Sequence, residues 1–209
     1  AARKVADECD ALGAAGVHLF QLDLLNARQC ASFIPEVKAA AGGVDIFVGL
    51  AGAGGSYQPL LEIDSVQMSE AFQGQVAGSF TLARDAGLAM PDDGTGRVIF
   101  VSAASSYKFS HGTYGYAKAA LNQLTSFLAY ELAARRITVN TLVPQLIDLE
   151  SIDRKTREKR KVFTPLGLIP HPEQIARMCV TLCSPLFNIV TGETISMDGG
   201  YRLRPPEDR

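Results

Sequence analysis

Five short apolar runs punctuate this chain: "VHLFQLDL" (17–24), "DIFVGLAG" (45–52), "RVIFVSAA" (97–104), "ITVNTLVP" (137–144) and "ETISMDGG" (193–200). They are rich in Val, Ile, Leu and Phe and mostly lack polar alternation, the pattern of strands buried on both faces of a parallel sheet. Between them lie segments with helical spacing, at 26–41, 64–90, 113–135 and 172–184. In 113–135 Ala117, Leu121, Leu124, Leu128 and Leu132 recur every three or four positions and form one buried stripe. Strands alternating with helices predict a doubly wound α/β domain. No internal repeat or low-complexity linker divides residues 1–209, so one domain is expected.

Composition narrows the function classes. Hydrophobic residues make up 47% and charged residues 20%, and the net charge is -2, which gives no global attraction to nucleic acid or an anionic membrane. No apolar run approaches the roughly 18 residues that span a bilayer, and no secretory signal is recognised, so a cytoplasmic protein is expected. Cys9, Cys30, Cys179 and Cys183 form no C-x-x-C pair, and with three scattered histidines no metal site is expected. Cys179 and Cys183, one helical turn apart, read as small packing residues in a reduced compartment.

Ligands of open α/β sheets bind beyond the carboxyl ends of the strands. "GLAGAGG", "SAASS" and "PQLID" follow three of the apolar runs, and glycine there lets backbone approach a ligand closely. The stretch "HGTYGYAK" places Tyr114 and Lys118 at i and i+4, on one helical face, while Tyr116 points elsewhere and reads as packing. A phenol with a pKa near 10 is a poor proton carrier at neutral pH, and a neighbouring ammonium brings it nearer the working range. A serine at an adjacent strand end would hold a substrate oxygen beside it. As a bare spacing, the pair reads equally as a half-buried aromatic beside a surface charge. The run "SIDRKTREKRKVF" carries six basic residues between Arg154 and Lys161; it is either a solvated helix face or a lure for an anionic substrate.

Across residues 1 to about 203 the chain resembles the short-chain dehydrogenase/reductase family. The resemblance rests on "LDL" (22–24), "DIFVGLAGAG" (45–54), "GRVIFVSAAS" (96–105), "YGYAKAAL" (114–121), "RITVNTLVPQLID" (136–148) and "TGETISMDGG" (191–200). It implies a Rossmann-type domain that binds NAD or NADP and interconverts a secondary alcohol and a ketone by hydride transfer. It implies Tyr114 as general acid/base and Lys118 as the group that lowers its pKa and holds the nicotinamide ribose. Asp23 and Leu24 would lie by the adenine, Ala51 and Gly52 along the cofactor cleft, and Pro144 and Ile147 near the carboxamide. A homodimer or homotetramer through the helices of 64–90 and 113–135 is implied as well.

The pattern is also departed from. The family's Asn-Asn-Ala-Gly reads Gly49-Leu50-Ala51-Gly52, its helix asparagine falls on Gln75, and its serine pair reads Ser102-Ala103, leaving Ser102 first and Ser105 second as the candidate serine. Pro-Gly reads Pro144-Gln145, and the usual threonine falls on Leu149. The family's first strand, glycine-rich turn and second strand have no counterpart, so the domain is expected to be incomplete at its N-terminal side and the chain to be part of a longer polypeptide. If the chain starts at Ala1, 17–24 is expected to slide into the vacant central slot of the sheet. These departures keep open a non-catalytic or cofactor-free relative used for binding or assembly, and a lyase or epimerase that moves only protons.

Overall fold

The structure is a computed structural model that describes residues 2–108 and 112–203. Four parallel strands, β1 (Ile46–Gly49), β2 (Arg97–Val101), β3 (Thr138–Pro144) and β4 (Thr194–Met197), lie side by side in chain order. Among the described residues seven α-helices connect and flank them: α1 (Ala2–Ala11), α2 (Ala27–Ala41), α3 (Ser65–Phe72), α4 (Gly78–Ala89), α5 (Gly112–Leu132), α6 (Arg154–Val162) and α7 (Pro172–Leu182). This is the expected doubly wound α/β arrangement. Each parallel connection passes through at least one helix, as parallel pairing requires.

Local chemistry sets the helix ends. Asn26 accepts the amides of Arg28 and Gln29 at the start of α2, and Asp64 and Gln67 cap α3 reciprocally. On α5, Ala117, Leu121, Leu128 and Leu132 are buried and Leu124 packs at the margin, against Val98, Phe100 and Val139 of the sheet. The hydroxyls of Thr125 and Thr141 hydrogen-bond beneath this layer and tie α5 to β3. Opposite, Ile99, Leu142, Ile175 and Leu182 form a second cluster against which Cys179 and Cys183 pack; burial raises both thiol pKa values.

Two expectations are corrected. Every residue of β2 and β3 is buried, as expected for strands covered on both faces, but β1 alternates, with Ile46 50% and Val48 39% exposed. Residues 17–24 form no strand and do not enter the slot beside β1. A strand needs a ladder partner for its backbone groups, and among the described residues nothing pairs with this run. It instead lies along the helical layer, with Leu24 buried against Cys30 and Leu82 and Phe20 edge-on to Phe33.

Candidate active site

The carboxyl end of β1 runs into a loop, residues 50–59, that wraps over the start of α5. The Tyr114 amide donates to the Ser56 carbonyl at 3.2 Å, and the Ser56 amide donates to Thr113 Oγ1 at 2.8 Å. The first satisfies an amide of the first helical turn, which has no partner within the helix, and the second ties the loop to the Thr113 side chain. They also fix Tyr114 at the mouth of the sheet. One turn later Lys118 is 4% exposed, with Nζ 5.6 Å from the centroid of the Tyr114 ring. No carboxylate pairs with Lys118 among the described residues, and burial lowers its pKa.

The electrostatics of the phenol differ from the expectation. The Tyr114 pKa is raised, first by burial and then by the neighbouring Tyr57 phenol, which also hydrogen-bonds it. The two rings lie 5.1 Å apart. Lys118 is not among the causes of this shift; burial of the phenol and the Tyr57 contact set its direction. Tyr116 is 51% exposed, with its ring 5.5 Å from that of Phe72, so it packs on a surface rather than in the interior.

Between α3 and α4 the chain makes one π-helical turn, Gln73–Ala77, a feature often found at functional sites. Three bonds radiate from it. Gln73 Nε2 donates to the Leu24 carbonyl (3.3 Å), the Gly74 carbonyl accepts the Ala53 amide (3.1 Å), and Gln75 Nε2 donates to the Gly54 carbonyl (2.9 Å). Gln75 thus holds the loop itself, while its Oε1 is buried without a partner. The closeness leaves no room for a side chain on the facing backbone. A Cβ on Gly52 would lie 2.2 Å from Gln75 Oε1, and one on Gly74 would lie 2.2 Å from the Ala53 carbonyl oxygen, so the longer amide requires bare backbone opposite it.

The remaining candidates divide. Ser102 is buried and its hydroxyl donates to the Lys118 carbonyl at 3.2 Å, fastening α5 to the end of β2, whereas Ser105 Oγ is buried with no partner. Asp23 is exposed, its carboxylate accepting the Leu25 amide, and Leu24 is a core residue. Ala51 and Gly52 lie in the exposed loop after β1. Pro144 ends β3 beside Met197, and Ile147 packs half-buried on the cluster of Ile99 and Leu142. Leu149, which stands where the family places a threonine, is 47% exposed.

Two working residues had no motif to announce them. Tyr57 lies in a loop whose path depends on Thr113, and Gln145 is buried with Nε2 donating to Thr164 Oγ1 (2.8 Å) and the Leu168 carbonyl (3.3 Å). The second stitches the segment after α6 onto the end of β3. Residues 109–111, which include His111 of the stretch leading to Tyr114, lie outside the described residues.

Among the described residues no group of three His, Cys, Asp or Glu side chains could hold a metal ion. No helix there is long and apolar enough to cross a membrane. Depressions of 320 Å³, between α2 and α4, and 510 Å³, between α1 and residues 17–20, are lined by neither Tyr114 nor Lys118.

Residues 1–202 match a protein family described as Enoyl-(Acyl carrier protein) reductase. An acetoacetyl-CoA reductase of Rhizobium meliloti is 31% identical over 191 residues, covering 88% of this chain and 79% of that protein. A tropinone reductase homolog of Arabidopsis thaliana is 30% identical over 153 residues, 70% of this chain but 58% of the relative. Among solved structures, acetoin dehydrogenase from Enterobacter cloacae superposes with a TM-score of 0.86 at 27% identity, covering all of this chain (100%) and 84% of that one.

The Tyr57 contact yields a direct expectation. In Tyr57→Phe the partner phenol is gone, so the Tyr114 phenol should titrate at lower pH than in the parent protein. Ultraviolet difference titration, with Tyr114→Phe as the blank, reads the shift; an unchanged midpoint would remove Tyr57 as a cause.

Proposed function

Because the chain belongs to the short-chain dehydrogenase/reductase family, a family of oxidoreductases, we propose that it interconverts a secondary alcohol and a ketone with NAD or NADP. The observation that carries this reading is the pair on the first turns of α5: a half-buried phenol and a buried amine, one turn apart, at the carboxyl end of a parallel sheet.

The residues present suit the nicotinamide half of such a cofactor. Lys118 is a buried cation with no carboxylate partner among the described residues, ready to donate to ribose hydroxyls, and Ala51 and Gly52 offer exposed backbone in the loop after β1. Pro144 and Ile147, at and just beyond the end of β3, would meet the cofactor's carboxamide. The described residues contain no strand, glycine-rich turn and helix to cradle the pyrophosphate. A bound NAD(P)H supplies the hydride. The chain's own part is the proton. A phenol held above its ordinary pKa is protonated at neutral pH and can donate to the oxygen of a carbonyl under reduction. Tyr57, hydrogen-bonded to that phenol, must yield its place to the substrate oxygen. Ser102 positions Lys118 through its carbonyl, and Ser105 is the hydroxyl left to hold the substrate.

A non-catalytic relative is the second reading. It is favoured by Ala103 in the serine position, by the Ser102 hydroxyl being engaged with backbone, and by Gln75 being committed to Gly54. Assembly into a homo-oligomer belongs to both readings. On α5, Tyr116, Phe127 and Tyr130 fall on one stripe and are 51%, 65% and 82% exposed, a row of aromatics suited to a twin subunit.

Titration with NADH and NADPH, followed by nicotinamide fluorescence, should show binding of one or both. Tyr114→Phe should retain that binding and lose about 10²–10⁴-fold in kcat/KM for ketone reduction. No binding of either nucleotide would leave the second reading. Light scattering should find a dimer or tetramer that Phe127→Glu with Tyr130→Glu dissociates; an oligomer unchanged by both substitutions would rule out this stripe.

A further inference from the structure

Three cations gather where the segments following β2, β3 and β4 meet. Lys108 Nζ lies 4.6 Å from the centroid of the Tyr201 ring and Arg160 Cζ 5.5 Å from the same centroid, with Arg160 Nη1 donating to the Tyr201 hydroxyl at 2.9 Å. Arg202 Cζ lies 5.8 Å from the centroid of Tyr107, whose hydroxyl is 3.5 Å from Ser196 Oγ. Among the described residues none of the three forms an ion pair with a carboxylate; the ion pairs engage Arg157, Lys161 and others around them. Glu158, two residues before Arg160, pairs with Lys161, and Asp198, 3% exposed, accepts the amides of Gly200 and Arg202. Exposed Arg154, Lys155 and Lys159 on α6 extend the positive field.

Like charges held together repel, and stacking on aromatic rings returns only about 0.5–1 kcal/mol at exposed sites. The chain as a whole is acidic, so the cluster is not a sample of a basic surface. The rings hold the guanidinium planes in place, and a planar guanidinium matches phosphate oxygens in pairs. All three cations also follow the carboxyl ends of strands, the side of the sheet on which Tyr114 lies.

We infer that Lys108, Arg160 and Arg202, framed by Tyr107 and Tyr201, bind a phosphate group on the non-reacting end of the substrate, which is therefore a carbonyl compound with a phosphate-bearing tail. This deepens the oxidoreductase reading and rests on it for the reacting end. Coenzyme A thioesters and carrier-bound phosphopantetheine thioesters share the required chemistry.

The test measures binding apart from turnover. Coenzyme A, phosphopantetheine and inorganic phosphate are titrated calorimetrically into the whole chain saturated with NADPH, and into Lys108→Gln/Arg160→Gln/Arg202→Gln; the exposed single variant Arg202→Gln guards against misfolding of the triple. Coenzyme A should bind the parent, be displaced by inorganic phosphate, weaken as salt rises, and lose about tenfold or more in affinity in the triple variant. Equal binding of phosphopantetheine would assign recognition to its single phosphate, and weaker binding to the nucleotide end of coenzyme A; either supports the site. In turnover, KM for acetoacetyl-CoA should rise in the variants while KM for the phosphate-free acetoacetyl N-acetylcysteamine thioester and the affinity for NADPH stay unchanged. No binding of coenzyme A and phosphopantetheine to the parent, or equal binding by parent and triple variant, overturns the inference. Coenzyme A bound through the cluster in a chain that binds no nicotinamide nucleotide would overturn the oxidoreductase reading alone.

Discussion

An ammonium group taken out of water with no carboxylate to meet it sets the terms for the rest of this molecule. Lys118 is 4% exposed, and its charge is opposed by burial. Such a placement costs stability unless something else is gained. The surroundings keep it in place from several sides. Ser102 holds its carbonyl, Thr125 and Thr141 pin the same helix to the sheet one turn beyond the next, and the loop of 50–59 closes on Thr113 and Tyr114. A residue that weakens the fold and is nevertheless clamped into it is best understood by what it can hold when a ligand arrives.

The second support is the π turn of Gln73–Ala77. By adding one residue to a helical turn, it aims Gln73, the Gly74 carbonyl and Gln75 at three parts of the same region: Leu24, Ala53 and Gly54. One of the departures from the family pattern, Gln75, lies in this turn. A glutamine in place of asparagine reaches the Gly54 carbonyl directly, and the loop opposite runs through Gly52 without a side chain to resist it. The loop is thereby fixed by contacts within the protein.

The fold was largely legible because its signals were local and redundant. The run that became β2 is apolar after Arg97, that of β3 mixes Val139, Leu142 and Val143 with Thr138, Asn140 and Thr141, and both strands are wholly buried. The helix of Tyr114 and Lys118 was readable from its stripe. Residues 17–24 misled because apolar content is only half of what a strand requires; the other half is a neighbouring ladder, which no local pattern encodes. At the site, the spacing of Tyr114 and Lys118 correctly placed them together, but the direction of the phenol's shift came first from burial and then from Tyr57, a residue 57 positions away in sequence from Tyr114. Gln145, likewise, is identifiable only once the segment after α6 has been folded back onto it. The basic cluster was half visible as the run of α6, yet its aromatic frame comes from two other segments.

The claim beneath the whole account is that Lys118 is retained for a ligand and not for the fold. Denaturant unfolding of Lys118→Met, compared with the parent across pH, addresses it most directly. The folded-state pKa of Lys118 is depressed below the ordinary 10.5, so the unfolded chain binds the proton more tightly. The penalty is therefore complete below the folded pKa and fades as pH rises toward the ordinary value. The account predicts that Lys118→Met is more stable than the parent at neutral pH, with the advantage shrinking as the solution is made alkaline. A variant less stable than the parent at neutral pH, with no such convergence, would mean that the ammonium is already compensated within the fold, and the account would fail.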